Sequence, residues 1–161
     1  MDGLSLLTFL QRGLEDESAN KENQTMNKST ILFASAFRAD KTEVENAHNS
    51  IIASQMIADK VYQPAQTAVG SWKEDGQEKA SVELTFVMPV LEHNVGDVAR
   101  IFISGFNQDA VLAVNPSDMS AHLINKDGSI VAIGTFTVIT EDEAKASECY
   151  TYWVGKYWLA K

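Results

Sequence analysis

Glu83 is the only charged side chain in the run Ser81-Val-Glu-Leu-Thr-Phe-Val-Met88. Strands disfavour glutamate, so its presence needs a reason. Alternation places Val82, Leu84, Phe86 and Met88 on one face, which reads as the core face. Glu83 shares the other face with Ser81, Thr85 and Val87. If that face is open to water, Glu83 is a solvated strand residue. If it is covered, the carboxyl has a task there. Eleven residues upstream stands Trp72, in Gly70-Ser-Trp72.

Other chemistries find little support. His48, His93 and His122 lack metal-ligand spacing, which argues against a zinc site. The single cysteine, Cys149, has no basic or histidine-rich surroundings in sequence and reads as structural. It cannot form an internal disulfide, which fits a reducing compartment. No Ser/His/Asp set or phosphate loop is visible, and no cofactor is expected. The formal net charge of -9 argues against nucleic-acid binding, which needs clustered Lys and Arg. No apolar run is long enough to span a membrane, and the apolar N-terminus lacks the marks of a signal peptide.

The elements that must position these residues are legible as a pattern. Residues 3–14 carry Leu6, Leu7, Leu10 and Leu14 at helical spacing, and residues 15–29 form a polar linker. The folded domain is expected over residues 30–161. Thr30–Phe37 reads as a central strand. Thr42 with Glu45 forms a capping box opening a helix to about Lys60, with Val44, Ala47, Ile51, Ser54 and Ala58 on its core face. A strand over Ala65–Trp72 turns at Asp75-Gly76 into the Glu83 strand. A helix capped by Asn94 or Asp97 runs to about Phe106. Strands follow at Ala110–Val114 and Ser129–Ile139, with a hairpin across Asn125–Gly128, then a short helix over Glu141–Ala146 and an aromatic tail, Tyr150–Leu159.

Strand, helix, strand, strand, helix, strand is the βαββαβ order of a ferredoxin-like α+β sandwich with an antiparallel sheet. The N-terminal arm and aromatic tail would be additions to it. Its helices cover one face and leave the other open. Yet Ile31–Phe37 and Ile130–Val138 are apolar on both faces. This predicts an oligomer that buries the open face, with Glu83 at or near a subunit interface.

Several strings, in order, carry a resemblance: Ser35-Ala-Phe-Arg38, Gly70-Ser-Trp72, Glu83-Leu-Thr-Phe-Val87, Val98-Ala-Arg100, Gln108-Asp109 before Val111-Leu112, and Gly134-Thr-Phe136. Together they resemble the bacteriophage S-adenosylmethionine hydrolases, better described as S-adenosylmethionine lyases, over roughly residues 30–137. The family usually has Gly-x-Tyr where this chain has Gly70-Ser-Trp72. Tryptophan keeps an aromatic face and loses the phenol hydroxyl. The resemblance implies a ferredoxin-like homotrimer with substrate bound between subunits. It also implies an anti-restriction role in the host cytoplasm through depletion of S-adenosylmethionine.

On that reading Glu83 and Trp72 are the candidate catalytic pair. Glu83 would hold the substrate ammonium, accept a proton from it or tune the field at the sulfonium. Phe37, Arg38, Gly70 and Gln108 are candidate substrate-binding residues. Each has a plainer alternative: packing for Phe37, a surface site for Arg38, a bend for Gly70, a helix cap for Gln108. The chemistry suits a chain without the usual catalytic sets, because the substrate carries its own leaving group and nucleophile. Its carboxylate attacks the γ-carbon, giving methylthioadenosine and homoserine lactone, and the site need only hold the attack geometry. Activation of water by Glu83 would instead give homoserine. Two other classes compete: a non-catalytic trimeric nucleotide-binding protein, and an acidic inhibitor of a host enzyme acting through the N-terminal helix or aromatic tail.

Overall fold

The computed structural model describes residues 28–74 and 76–161. The expected N-terminal helix and nearly all of its linker, and Asp75 of the expected turn, lie outside the described residues. The strands are β1 (Ser29–Ala34), β2 (Gln66–Trp72), β3 (Ser81–Leu91), β4 (Ala110–Val114), β5 (Ser120–Asn125), β6 (Ile130–Ile139), β7 (Tyr150–Trp153) and β8 (Lys156–Ala160). The helices are α1 (Glu43–Ile57), α2 (Val95–Arg100) and α3 (Glu141–Ala146); a π-helical stretch, Ile101–Gly105, continues α2.

The first six elements follow the expected order, but the sheet does not stop there. The strands form one closed antiparallel barrel in the order β1-β3-β2-β7-β8-β6-β5-β4, with β4 returning to β1. The ferredoxin-like sandwich with an open face is therefore wrong. β5 and β6 extend the β4 edge, and the aromatic tail supplies β7 and β8, which join β2 to β6. Closure removes the open face, so no second subunit is needed to cover it.

Two cores result. Inside the barrel, Ile31, Phe33, Val87, Val114, Phe136, Trp153 and Trp158 pack together. The rings of Phe33 and Phe136 lie 5.0 Å apart, and Phe136 stacks on Trp158 at 5.2 Å. Such pairs add about 0.5–1.5 kcal/mol each beyond area burial. Outside the barrel, α1 and α2 pack on Leu32, Ala34, Phe86, Met88, Val90, Val111 and Ala113. Apolar residues on both faces of β1 thus serve the barrel interior and the helical layer within one chain.

The capping box at Thr42 and Glu45 forms as expected. The face of α1 does not. Asn46, Ala53 and Ile57 are buried, whereas Val44 and Ile51 are 80% and 58% exposed. Asn46 turns inward because its amide is bonded. Its Oδ1 accepts from Arg38 N at 2.9 Å and its Nδ2 donates to Arg38 O at 3.0 Å. That polar anchor outweighs the apolar spacing of the opposite face.

Candidate functional site

A cavity of about 220 Å³ opens at one end of the barrel. Ser35, Gly70, Trp72, Glu83, Thr85 and Gln108 line it, together with the interior aromatics Phe33, Phe136 and Trp158. The cavity is polar where strands end and apolar against the barrel core.

Strand register brings Glu83 and Trp72 together. In the β2–β3 hairpin Gly70 stands opposite Glu83, Trp72 opposite Ser81 and Ala68 opposite Thr85. Trp72 is therefore the diagonal neighbour of Glu83 on one face, and the eleven-residue gap is a hairpin spacing. That face is the barrel interior. Gly70 leaves room beside Glu83, because a Cβ there would collide with Thr85 Oγ1.

The Glu83 carboxyl forms no hydrogen bond or ion pair with the described residues. Burial pushes its pKa up to about 8, with the nearby Glu74 charge adding to the rise and Arg38 opposing it. An unpaired acid held in a cavity is poised near neutrality and suited to meet a cation.

The loops at the mouth are riveted together. The Arg38 Nη2 lies 3.1 Å from Glu74 Oε2, and its Nη1 donates to Asn107 O at 3.0 Å. Arg38 does not line the cavity, and its guanidinium is engaged by these partners rather than aimed at a ligand. Phe37 also lies off the cavity wall; its carbonyl accepts from Gln108 Nε2 at 2.7 Å. Gln108 does line the cavity, and its Nε2 also reaches Phe106 O at 3.3 Å. The π-helical stretch and the left-handed Asn107, at φ 53°, deliver it there. Among the six sequence candidates, the structure thus places Glu83, Trp72, Gly70 and Gln108 on one cavity. Arg38 and Phe37 hold the rim.

Residues 32–161 match the model of the S-Adenosylmethionine lyase family. The chain belongs to that family. No curated protein matches the chain. Membership makes S-adenosylmethionine the substrate and its degradation the class of reaction. The family match includes the tail, which the motif resemblance left outside, and the fold explains why. Trp158 packs against Phe136 and lines the cavity, so the tail is part of the barrel wall.

Sequence reasoning missed Ser35, Thr85, Asp109, Thr151 and Trp158 as cavity residues. Alternation from Glu83 would have found Thr85, which shares its face. Nothing local in the tail points to Thr151 or Trp158, whose role depends on closure. Gly134 of the motif string is structural: its φ is 108°, and a Cβ there would stand 2.6 Å from the Lys161 backbone. Cys149 lines the cavity, and burial pushes its thiol pKa up, which disfavours a thiolate nucleophile. Among the described residues no group of His, Cys, Asp and Glu gathers to hold a metal ion, and no helix is long and apolar enough to cross a membrane.

Proposed function

We propose that this chain is a lyase converting S-adenosylmethionine to methylthioadenosine and homoserine lactone. The observation that carries this reading is the unpaired Glu83 carboxyl beside Trp72 in the barrel cavity of a member of this family. The substrate brings a sulfonium and an ammonium, both cationic. Glu83 meets this charge, and the Trp72 ring offers its face to the sulfonium. The substrate carboxylate attacks its own γ-carbon. A C–O bond forms, the C–S bond breaks, and the electron pair stays on sulfur as a neutral thioether. No proton need be supplied, so a tryptophan without a hydroxyl serves where the resembled enzymes have tyrosine. Gly70 and Gln108 shape the cavity around the folded methionyl part.

We read the biological use as anti-restriction in an infected host cytoplasm, with the chain acting as a homotrimer. Support for the use comes from the motif resemblance. Support for self-association comes from an exposed apolar strip on the outer barrel wall.

Incubation with S-adenosylmethionine in chelator-treated buffer should release methylthioadenosine, with homoserine lactone preceding homoserine. Glu83→Gln should lower kcat/KM by at least about 100-fold, the usual scale for a positioned acid–base or charged group. Expression in cells should lower the S-adenosylmethionine pool for the parent chain and not for Glu83→Gln. Absence of methylthioadenosine would sink the reading, and homoserine as the first product would replace the lyase step by hydrolysis.

A further inference from the structure

A helix on the outside of a folded domain normally turns charged side chains to water. α1 does not. Asn46, Ala53 and Ile57 are its buried residues, so the opposite side of the helix looks outward. That side carries Val44, Ala47, His48, Ile51, Gln55 and Ala58, all exposed and, with histidine neutral, none charged. At 3.6 residues per turn they fall within an arc of about 100°. Glu43 and Glu45 stand to either side of it rather than interrupt it. The steps of three and four residues, from Val44 through Ile51 to Ala58, are those of a seam between two packed helices.

Such a seam calls for a second helix, and one pattern of the sequence has no partner so far. Residues 3–14 lie outside the described residues. They hold Leu4, Leu7, Leu10 and Leu14 at the same steps of three and four, with Leu6 and Phe9 beside them and Arg12 as their one charge. A helix of that length is marginal alone in water and takes its stability from a packed apolar face.

The chain enters the described fold beside the C-terminal end of α1. Glu92 N donates to Lys28 O at 2.9 Å, and Tyr62 N to Pro89 O at 3.3 Å. Asn94 Nδ2 donates to Lys60 O at 3.5 Å, two residues past the α1 C-cap, Ala58. Lys28 and Lys60 therefore flank the same turn, Glu92–Asn94. Residues 15–27, mostly polar, connect the leucine segment to that point. A polar chain of that length spans about 20 Å on average, and α1 is about 22 Å long. The whole seam is within reach. The exposed Val82 and Leu84 are a poorer destination: they stand toward the other end of β3, roughly 25–35 Å from Glu92. A tether this short also holds the segment at an effective concentration near the millimolar range, which favours it over a second copy of the chain.

We propose that residues 3–14 form a helix that docks along the outer face of α1 in the same chain, laying Leu4, Leu7, Leu10 and Leu14 against Val44, Ile51 and Ala58. The helical layer over the barrel then has a third member, and the uncharged side of α1 is an internal surface of the full chain.

Hydrogen exchange on the full-length protein tests this. In the parent, amides of residues 7–14 should exchange at least about tenfold more slowly than in an unstructured chain. Val44→Lys with Ile51→Lys puts two charges on the seam at exposed positions. It should return those amides to within about twofold of the unstructured rate and leave β1 to β8 as protected as before. Should that variant fail to fold, Val44→Ser with Ile51→Ser carries the test, with a smaller loss of protection. A segment that exchanges at the unstructured rate in the parent overturns the proposal. Protection that survives both pairs of substitutions places the segment elsewhere and also overturns it. So does protection that falls away on about twentyfold dilution, which assigns the face to a second chain. The readout is folding alone and stands whatever the chain does to S-adenosylmethionine.

Discussion

Glu83 is held in a state that folding alone does not favour. Its pKa is about 8 in the folded chain against an ordinary value of 4.5, with burial the main cause. Below about pH 4.5 it is protonated in both folded and unfolded chains and costs nothing. As pH rises from 4.5 to 8 the unfolded chain ionises it while the folded chain retains the proton, so stability is lost across that window. At about 1.4 kcal/mol per unit the loss is on the order of 3–5 kcal/mol. Glu83→Gln should therefore be more stable than the parent at pH 8.5 by a few kcal/mol and equal to it near pH 4, as read by urea unfolding. The same substitution should abolish turnover. A gain in stability coupled to a loss of activity marks a group kept for chemistry. A parent and variant of equal stability at pH 8.5 would mean that Glu83 is solvated after all.

At the scale of elements, the β2–β3 hairpin does most of the positioning. Its pairing makes Gly70, Trp72, Glu83 and Thr85 neighbours on the interior face. Gly70→Ala puts a methyl group into Thr85 Oγ1, and the β-branched Thr85 has few rotamers to turn to. This should lower stability by about 1–3 kcal/mol, the range for overpacking, and raise KM several-fold by narrowing the cavity. Thermal unfolding and steady-state kinetics measure the two effects. Alternation along β3 revealed which residues share a face with Glu83, because that periodicity is local. What covers the face is not local. The β7–β8 turn is built on Val154 and Gly155, at φ 52° and 71°, and valine is a poor signal for a left-handed turn. The tail therefore read as an aromatic extension rather than as two strands. The inward face of α1 was misread for a similar reason. Apolar spacing favoured Val44 and Ile51, whereas the buried amide of Asn46 decides the rotation through contacts eight residues away. Arg38 and Phe37 stand beside the site in sequence, but their bonds to Glu74 and Gln108 turn them to the rim.

At the scale of the whole molecule, closure changes where association must occur. The interior face is enclosed by the barrel's own strands, so it is not the face on which a second chain packs. Most of the outer wall on β1, β4 and the second half of β3 lies under α1 and α2. Part of the remaining wall is bare and apolar: Val82 is 61% exposed, Leu84 42%, Tyr152 40% and Val69 39%. These residues are contiguous, because Val69 pairs with Leu84 on one side and Tyr152 on the other, and Val82 is two residues from Leu84. A continuous apolar strip across three strands differs from scattered exposed side chains and marks an interaction surface. The proposed homotrimer would bury it. Replacing Val82 and Leu84 together with Lys places charge at its centre and leaves every interior residue in place. Light scattering should then give the mass of one chain where the parent gives three, with an unchanged far-UV circular dichroism spectrum. A parent that is already a single chain in solution, or a double variant that still associates, would remove this strip as the contact.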